Sequence, residues 1–291
     1  MAISLANLRR ANLHLPPLNL IYGAPGLGKT SLALEAPNTV YIQVAPEAPP
    51  RGIEPVGFGE LISYEQIGEA MKSLYAEKHV FTHVVIDSMD ALEPLIWQET
   101  CRRNNWQTIE TPGFGKGYLA ADDVWREFIT RCERLRRERG LQVTWLGLAD
   151  ASNHEEPGQQ PYKRYAMKLH KRGHGLLTQA ADAVLFINTK VTVKEVDTGF
   201  NRTSAHAEGG GTRWLFTDGR PAFEAKNRFN MPDQIALPKG KAWAAIAPYL
   251  SSPIAAAPAV VGAVVTDAST PVADAIAPER QPELETLTQA A

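Results

Sequence analysis

The chain has 291 residues, with 30 Lys and Arg against 32 Asp and Glu, and its formal net charge is −2. No run of about 18 apolar residues occurs, which excludes a conventional membrane-spanning helix, and the N-terminal segment lacks the apolar centre of a secretion signal. The two cysteines, Cys101 and Cys132, fit neither a metal knuckle nor a disulfide framework. We therefore expect a cytoplasmic protein with reduced, structural thiols. A net charge this small does not by itself indicate nucleic-acid binding.

Apolar runs alternate with amphipathic stretches along most of the chain. Strand-like runs lie at 18–23, 39–44, 82–87, 142–149, 182–189 and 191–196. Helix-like runs lie at 29–36, 65–77, 89–104, 119–139 and 163–180. This alternation predicts an α/β fold with a mainly parallel central sheet. From residue 182 onward we expect antiparallel strands in close succession without helices, with GGGTRWLFTDG and PAFEAKNRF as hairpin arms.

The composition changes near residue 250. Residues 251–291 are rich in Ala and Pro, show neither a helical nor a strand period, and carry five acidic residues against Arg280, a net charge of −4. Such a segment buries too little apolar surface to fold by itself. We therefore predict a folded core over 1–250 and a disordered tail with an acidic end over 251–291.

A glycine-rich turn, GAPGLGKT, joins the first predicted strand to the first predicted helix. It satisfies the pattern G-x-x-x-x-G-K-[ST], whose backbone N–H groups surround phosphates. In that arrangement Lys29 reaches the β- and γ-phosphates, and the Thr30 hydroxyl binds Mg²⁺. The predicted nucleotide-binding residues of the turn are Gly23, Ala24, Pro25, Gly26, Leu27, Gly28, Lys29, Thr30 and Ser31.

A second Mg²⁺ anchor is expected at the end of another buried strand. The stretch HVVIDSMDAL places Asp87 directly after Val84, Val85 and Ile86, and the carboxyl ends of parallel strands meet at one edge of a sheet. Capping of the following helix is the other role open to an aspartate at this position. With the glycine-rich turn present, we predict that Thr30 and Asp87 together hold Mg²⁺ for a bound ATP.

Hydrolysis also requires a carboxylate that orients the attacking water. Glu47, just past the second strand in YIQVAPEAPPRG, is the best candidate, and Glu54 is the second. A solvated loop glutamate remains the alternative reading of Glu47.

Two segments combine aromatic and basic residues. The stretch NNWQTIETPGFGKGY, residues 104–118, contributes Trp106, Phe114, Lys116 and Tyr118. The stretch YKRYAMKLHKRGHG, residues 162–175, contributes Lys163, Arg164, Lys168, Lys171 and Arg172. Aromatic rings stack on bases and cations follow the phosphate backbone, so we predict a groove for single-stranded DNA. A packed surface loop and a solvated helix face are the alternatives for the two segments.

The order of these elements resembles the RecA-like core. In that family the residues after the Walker B strand, and those after the next strand, form two DNA-binding loops. A late basic segment reaches the ATP of the neighbouring subunit. The segment AKNRFNMP, residues 225–232, looks like that element, so the resemblance implies catalytic roles in trans for Lys226 and Arg228.

A closer resemblance is to the phage-encoded RecA-like ATP-binding proteins, a group of phage single-strand annealing proteins. It covers about 20–238 and is carried by the P-loop and by VVIDSMDALEPLIWQETC, GFGKGYLAAD, YKRYAMKLHKRG, ADAVLFIN and GRPAFEAKNR. Two departures stand out. Asp150 occupies the place where a polar sensor, usually histidine, is expected, and the second strand lacks an obvious family-like acidic ending.

The sequence and the resemblance together predict an ATP-dependent, single-stranded DNA-binding protein that promotes annealing or strand pairing in phage recombination. DNA-stimulated ATP hydrolysis, head-to-tail assembly into a ring or filament, and a location in the host bacterial cytoplasm are expected, with a single-strand-binding protein as a further partner and no membrane. Two alternatives stay open. One is another P-loop ATPase, such as a helicase loader or partition motor, and the other is a nucleotide-gated binding module with little hydrolysis.

Overall fold

The observed secondary structure follows the predicted alternation along the first half of the chain. The computed structural model describes residues 15–155, 158, 160–190, 192–197, 203–208 and 211–251. The strands of this part are β1 (Leu18–Gly23), β2 (Thr39–Val44), β3 (Gly57–Leu61), β4 (His83–Asp87), β5 (Gln142–His154), β6 (Tyr162–Met167), β7 (Ala183–Thr189), β8 (Thr192–Asp197), β9 (Thr203–Glu208), β10 (Arg213–Phe216) and β11 (Gln234–Leu237). The helices are α1 (Lys29–Leu34), α2 (Tyr64–Ala76), α3 (Met89–Asn104), α4 (Lys116–Arg139), α5 (Lys171–Ala180) and α6 (Ala242–Ser251).

One large sheet organises the described chain. Its strand order is β11-β10-β7-β1-β5-β4-β2-β3, and β6 pairs with the far end of β5. The pairs among β7, β1, β5, β4, β2 and β3 are parallel, whereas β10 pairs antiparallel with both β7 and β11. The predicted fold class, a mainly parallel α/β sheet with late antiparallel strands, is confirmed. Strand β1 lies at the centre, so the glycine-rich turn leaves the middle of the sheet.

Both faces of this sheet are covered by apolar side chains. Leu20 and Tyr22 of β1 contribute to a core with residues of α2, α3, α4 and α5. Ile21 points to the opposite face, where it joins a second core with Leu32 of α1 and Trp243 of α6. Strands buried on both faces read as nearly continuous apolar runs, which is why β1 and β4 could be recognised in the sequence.

Three predictions about individual elements are wrong. Residues 163–167 are not helical, because β6 pairs antiparallel with Ala149–His154, the part of β5 that extends beyond the parallel sheet. Strand β3 was not foreseen, since its sequence GFGEL is rich in glycine and lies exposed at an edge of the sheet. The expectation of no helix after residue 182 also fails, because α6 buries an apolar face against α1 and β11.

The late hairpin is built differently from the prediction. Strand β10, within GGGTRWLFTDG, is antiparallel as expected, but its partners are β7 and β11. The stretch PAFEAKNRF forms only isolated bridges, including Val184 with Lys226. The predicted tail lies outside the described residues apart from Ser251. Both cysteines are buried and unpaired. Within the described ranges, no helix has the length and apolarity needed to cross a membrane.

Candidate functional site

The glycine-rich turn leaves β1 at Gly23 and enters α1 at Lys29. Gly26 and Gly28 both have φ of +79°, a backbone conformation that other residues adopt only with strain. Lys29 is buried, and its Nζ donates hydrogen bonds to the carbonyls of Gly23 at 2.9 Å and Ala24 at 3.1 Å. Burial lowers the pKa of Lys29, and nearby carboxylates, Asp87 first, oppose that effect. The ammonium is therefore held beside the turn.

Asp87, the last residue of β4, meets the turn at the same edge of the sheet. Thr30 Oγ1 donates a hydrogen bond to Asp87 Oδ2 at 2.7 Å, and the Tyr41 hydroxyl donates to the same oxygen at 3.0 Å. Burial raises the pKa of Asp87, while the two hydrogen bonds and Lys29 lower it. Tyr41 was not predicted from the sequence. It reaches Asp87 because β2 pairs with β4, with Tyr41 opposite Val85.

The pair formed by Thr30 and Asp87 fits Mg²⁺. A hydroxyl and a carboxylate oxygen are hard ligands, and Mg²⁺ is usually held by one or two carboxylates together with the phosphates of a substrate. Among the residues that the structure describes, no cluster of three or more His, Cys, Asp or Glu side chains could hold a metal without such phosphates. The donor set is thus suited to a metal that arrives with a nucleotide.

Glu47 lies beside this group, on the loop after β2. Its Oε1 accepts a hydrogen bond from Ser88 Oγ at 3.1 Å, and Gln43 Nε2 donates to its backbone carbonyl at 2.7 Å. Burial raises the pKa of Glu47, and Asp87 raises it further. Glu54, the second candidate, is exposed on the next part of the loop. The geometry therefore brings Glu47 next to the Walker B aspartate.

Two further carboxylates follow Asp87 on α3, and the sequence reasoning missed both. Asp90 Oδ1 accepts a hydrogen bond from the backbone N–H of Leu148, in β5, at 3.0 Å. Glu93 is buried and accepts from the backbone N–H of His170, directly before α5, at 3.1 Å on each oxygen. Burial raises the pKa of Glu93 to about 6. Helix α3 thus links the end of β4 to the base of the second predicted DNA segment.

Arg213 is also new to the site. This half-buried residue begins β10, and its Nη1 donates a hydrogen bond to the carbonyl of Leu27, within the glycine-rich turn, at 3.2 Å. A Cβ at Gly28 would collide with the same Nη1. The only sequence signal for this contact is a basic residue at the start of a late strand.

The first predicted DNA segment joins α3 to α4. Phe114 is fully exposed at its tip, with φ of +50° between two glycines whose φ is +70°. Trp106 is half-buried and lines a cavity of about 460 Å³ together with Trp97. Lys116, the first residue of α4, is exposed. Tyr118 stacks on His170, with ring centroids 4.2 Å apart, and donates a hydrogen bond to Glu110. Phe114 is therefore the ring most available to a base.

The second predicted DNA segment is a hairpin strand followed by a helix. Lys163 on β6, Lys168 after it, and Lys171 at the start of α5 are exposed. Arg164 is half-buried, on the side of β6 opposite Lys163. Arg172 forms a bidentate ion pair with Asp122 of α4, at 2.9 and 2.5 Å. Three of the five predicted cations thus face solvent.

Asp150 lies on the same hairpin. It is exposed on β5 and pairs with Ala166. Asp150 therefore lies on the strand that pairs with β6, the strand that carries Lys163 and Arg164.

Lys226 and Arg228 lie near the amino ends of the parallel strands, whereas the glycine-rich turn lies at their carboxyl ends. The backbone of Lys226 exchanges two hydrogen bonds with Val184 near the start of β7, at 2.8 and 3.0 Å. Strand β7 is parallel to β1, and Val184 pairs with Leu20 rather than with Gly23. Arg228 Nη1 lies 3.3 Å from Asp182 Oδ1, and its side chain is 65% exposed. These cations are thus separated from the glycine-rich turn of their own chain.

Comparison with known proteins agrees with this geometry. The family model AAA_24, described as an AAA domain, matches residues 17–229. The chain belongs to this AAA domain family. It is therefore a P-loop ATPase by family, and nucleotide binding, typically with Mg²⁺, is implied. The match extends from just before β1 to the segment of Lys226 and Arg228.

Two further comparisons add little to that assignment. No curated protein matches the sequence. A solved structure described as the crystal structure of the RadB recombinase is 13% identical, with a TM-score of 0.42, over 78% of this chain and 90% of that chain.

Proposed function

We propose that the chain is an ATP-dependent, single-stranded DNA-binding protein that promotes annealing or strand pairing in phage recombination. The observation that carries the proposal is the link made by α3. This helix begins beside Asp87, and its Asp90 and Glu93 hold the backbone of Leu148 and His170. The residues that bind nucleotide and the segments expected to bind DNA therefore share one rigid element.

The roles at the nucleotide follow from position. Lys29 binds the β- and γ-phosphates, and Thr30 with Asp87 holds Mg²⁺. Bound Mg²⁺ supplies charge neutralisation on the phosphates. Glu47 orients the attacking water, because it is the carboxylate next to Asp87 on the loop that follows β2. DNA-stimulated hydrolysis would then arise when bound DNA shifts α3 and the Ser88–Glu47 hydrogen bond with it.

DNA binding is assigned to the exposed residues of the two segments. Phe114 stands free on its loop and suits base stacking, and Lys163, Lys168 and Lys171 suit contacts with phosphates. Nothing in this set is arranged to read base edges, so binding should show little sequence preference. Single-strand annealing needs this kind of non-selective binding.

Head-to-tail assembly of copies of the chain would follow from the distance between the glycine-rich turn and the two cations at the other end of the strands. Lys226 and Arg228 lie opposite the glycine-rich turn, so a head-to-tail contact between copies would bring them to the nucleotide of a neighbour. Contacts of that kind produce rings or filaments. A single-strand-binding protein is a further partner that the phage resemblance suggests.

The test measures ATP hydrolysis and the annealing of complementary strands, with single-stranded and double-stranded DNA compared. The proposal predicts hydrolysis stimulated by single strands and annealing that depends on nucleotide. Stimulation by double-stranded DNA alone would favour a helicase loader or partition motor instead.

A nucleotide-gated module with little hydrolysis is the second candidate. It is favoured by Asp150, which occupies the place where a polar sensor is expected and lies exposed on β5, because an ionised carboxylate only accepts hydrogen bonds and cannot act as a cationic phosphate sensor. Single-turnover hydrolysis measured beside ATP-dependent DNA binding separates the two functions. DNA binding that requires ATP without measurable turnover would support the module.

A further inference from the structure

Arg213 stands at the edge of the sheet from which the glycine-rich turn leaves. It pairs with Thr189, the last residue of β7, whereas Gly23 pairs with Ile187 two residues earlier. At roughly 3.3 Å per residue, Arg213 lies about 7 Å beyond the end of β1 in the strand direction. Its side chain therefore emerges at the level of the turn.

The side chain of Arg213 touches the turn itself. Nη1 donates to the carbonyl of Leu27 at 3.2 Å, and the absence of a side chain at Gly28 leaves room for the guanidinium. A guanidinium has five N–H donors in a planar fork. Among the described residues, Leu27 supplies the one acceptor within hydrogen-bond distance. Within the described part of the chain, the guanidinium is thus held through Nη1 alone.

The charges around the turn are mostly negative. Asp87, Asp90 and Glu47 all act on Lys29, the one ammonium inside the turn. A nucleoside di- or triphosphate brings further negative charge, and charge-assisted, bidentate contacts to phosphate are the strongest that an arginine makes. A second cation beside the turn would offset this excess.

We propose that Arg213 is a nucleotide-binding residue that contacts the α- and β-phosphates. The glycine-rich turn surrounds those two phosphates, and Arg213 is bonded to that turn rather than to Asp87 or Glu47, the residues assigned above to Mg²⁺ and to the attacking water. Arg213 therefore acts on ADP and ATP alike. It sets nucleotide affinity and KM, and it leaves kcat largely unchanged. This inference rests on the nucleotide binding proposed above.

The alternative role for Arg213 is structural: its hydrogen bond to the Leu27 carbonyl would stabilise the glycine-rich turn, and the side chain would not contact the nucleotide. Two substitutions separate the roles. Arg213→Gln keeps an amide N–H for the carbonyl but loses the charge, and Arg213→Lys keeps the charge but loses the fork. Arg220→Gln is the matched control, since Arg220 is exposed and faces Asp233 at 3.4 Å on the segment after β10.

The experiment titrates fluorescent ADP and a non-hydrolysable ATP analogue into each variant, at two salt concentrations, with thermal unfolding measured in parallel. We expect Arg213→Gln to weaken both nucleotides by about tenfold to a hundredfold, the range for losing a hydrogen bond to a charged group. The unfolding temperature should not change, Arg213→Lys should recover part of the affinity, and Arg220→Gln should match wild type.

Two results would overturn the inference while leaving the nucleotide site in place. The first is an Arg213→Gln protein that binds both nucleotides with wild-type affinity. The second is an Arg213→Lys protein whose nucleotide affinity is no higher than that of Arg213→Gln. In each case Lys29→Ala must have lost nucleotide binding. If Lys29→Ala also binds ADP and the analogue like wild type, the proposed nucleotide site itself fails.

Discussion

Two clusters of charged side chains lie at opposite ends of the parallel strands of the central sheet, one at the amino ends (the amino edge) and one at the carboxyl ends (the carboxyl edge). At the amino edge, Asp182 accepts hydrogen bonds from the backbone N–H of Leu18 at 3.2 Å and from Arg136, and it pairs with Arg228. Arg136 also pairs with Glu133 at 3.0 Å. Each charge in this cluster faces an opposite charge. The buried pair of Asp182 and Arg136 indicates a structural role, whereas the side chain of Arg228 is 65% exposed.

At the carboxyl edge the charges are not matched in this way. Asp87, Glu47 and Asp90 are near one another, and the ammonium of Lys29 rests on backbone carbonyls. The pKa values of Asp87 and Glu47 are raised, and that of Lys29 is lowered, in each case chiefly by burial. Groups perturbed in this way mark functional sites more often than structural ones. The carboxyl ends of the parallel strands, with Lys29, Asp87, Asp90 and Glu47, thus form what we call the chemical edge of the sheet. The amino ends, with Asp182 and Arg136, form its structural edge.

Matched substitutions at the two edges should have opposite effects. Asp182→Asn removes one charge that faces the buried Arg136 and leaves Glu133 as a carboxylate partner, so the loss of folding free energy should approach, without exceeding, the cost of breaking a buried pair, which is about 3–5 kcal/mol. Asp87→Asn removes a burial cost and the proposed Mg²⁺ ligand, so stability should hold while ATP-dependent activity is lost. Urea denaturation and ATP hydrolysis measured on both variants check this. Equal stability of Asp182→Asn and wild type would break the comparison.

In a head-to-tail assembly, Lys226 and Arg228 of one subunit should lie next to the glycine-rich turn of its neighbour. Lys29→Ala should abolish turnover, and so should the double variant Lys226→Ala/Arg228→Ala. In an equal mixture, half of the P-loops are intact and half of these face an intact donor, so about a quarter of wild-type turnover should return in a head-to-tail assembly. Turnover should peak at the equal ratio. No recovery at any ratio, with assembly confirmed by light scattering, would exclude action in trans.

Aromatic stacking provides the next largest effect. Phe114→Ala should weaken single-stranded DNA binding by about 1–3 kcal/mol, with little dependence on salt. Tyr118→Phe is the control, because it keeps the ring stacked on His170 and removes only the hydroxyl that donates to Glu110. Affinity titrations with an ATP analogue present give both values. A Phe114→Ala protein that binds like wild type would remove the loop from the DNA groove.

Phosphate contacts should differ from stacking in their salt dependence. Lys163→Ala or Lys168→Ala should each reduce the slope of log affinity against log salt by about 0.7 for every DNA phosphate that the variant no longer neutralises. Arg172→Ala should change the slope less, since Arg172 is paired with Asp122. If the Arg172 variant shows the larger change, the phosphate track follows α5 and not the hairpin.

The smallest effect concerns the buried carboxyl group on α3. The pKa of Glu93 rises from 4.5 to about 6 on folding, so the folded chain binds more protons than the unfolded chain between these values. Stability should therefore fall as pH rises through this range and stay level above it. Glu93→Gln should reduce that fall, to which Asp87 and Glu47 also contribute because their pKa values are raised, and the exposed Glu54→Gln should keep it in full. Denaturation midpoints between pH 4.5 and 7 that fall equally in both variants would assign the slope to another group.

The chemical edge was largely predictable because its central motif is local. Gly23 to Thr30 are consecutive, and Asp87 ends a recognisable apolar strand. Tyr41 and Arg213 were missed, because strand pairing alone brings them to the turn.

The basic segment shows the same limit on sequence reasoning. Its pattern suited a helix, but pairing with the extended end of β5 made residues 162–167 a strand. The pairing of Arg172 with Asp122 joins two helices and has no local signal. Motifs were therefore visible in the sequence, whereas partners that depend on topology were not.

The central claim is that nucleotide at the chemical edge controls DNA binding. The most direct test is the affinity for single-stranded DNA, measured with and without a non-hydrolysable ATP analogue and Mg²⁺, for wild type and for Lys29→Ala. We predict that wild type binds DNA much more tightly with the analogue, and that Lys29→Ala does not respond. Equal DNA affinity of wild type with and without the analogue, with analogue binding confirmed, would contradict this claim.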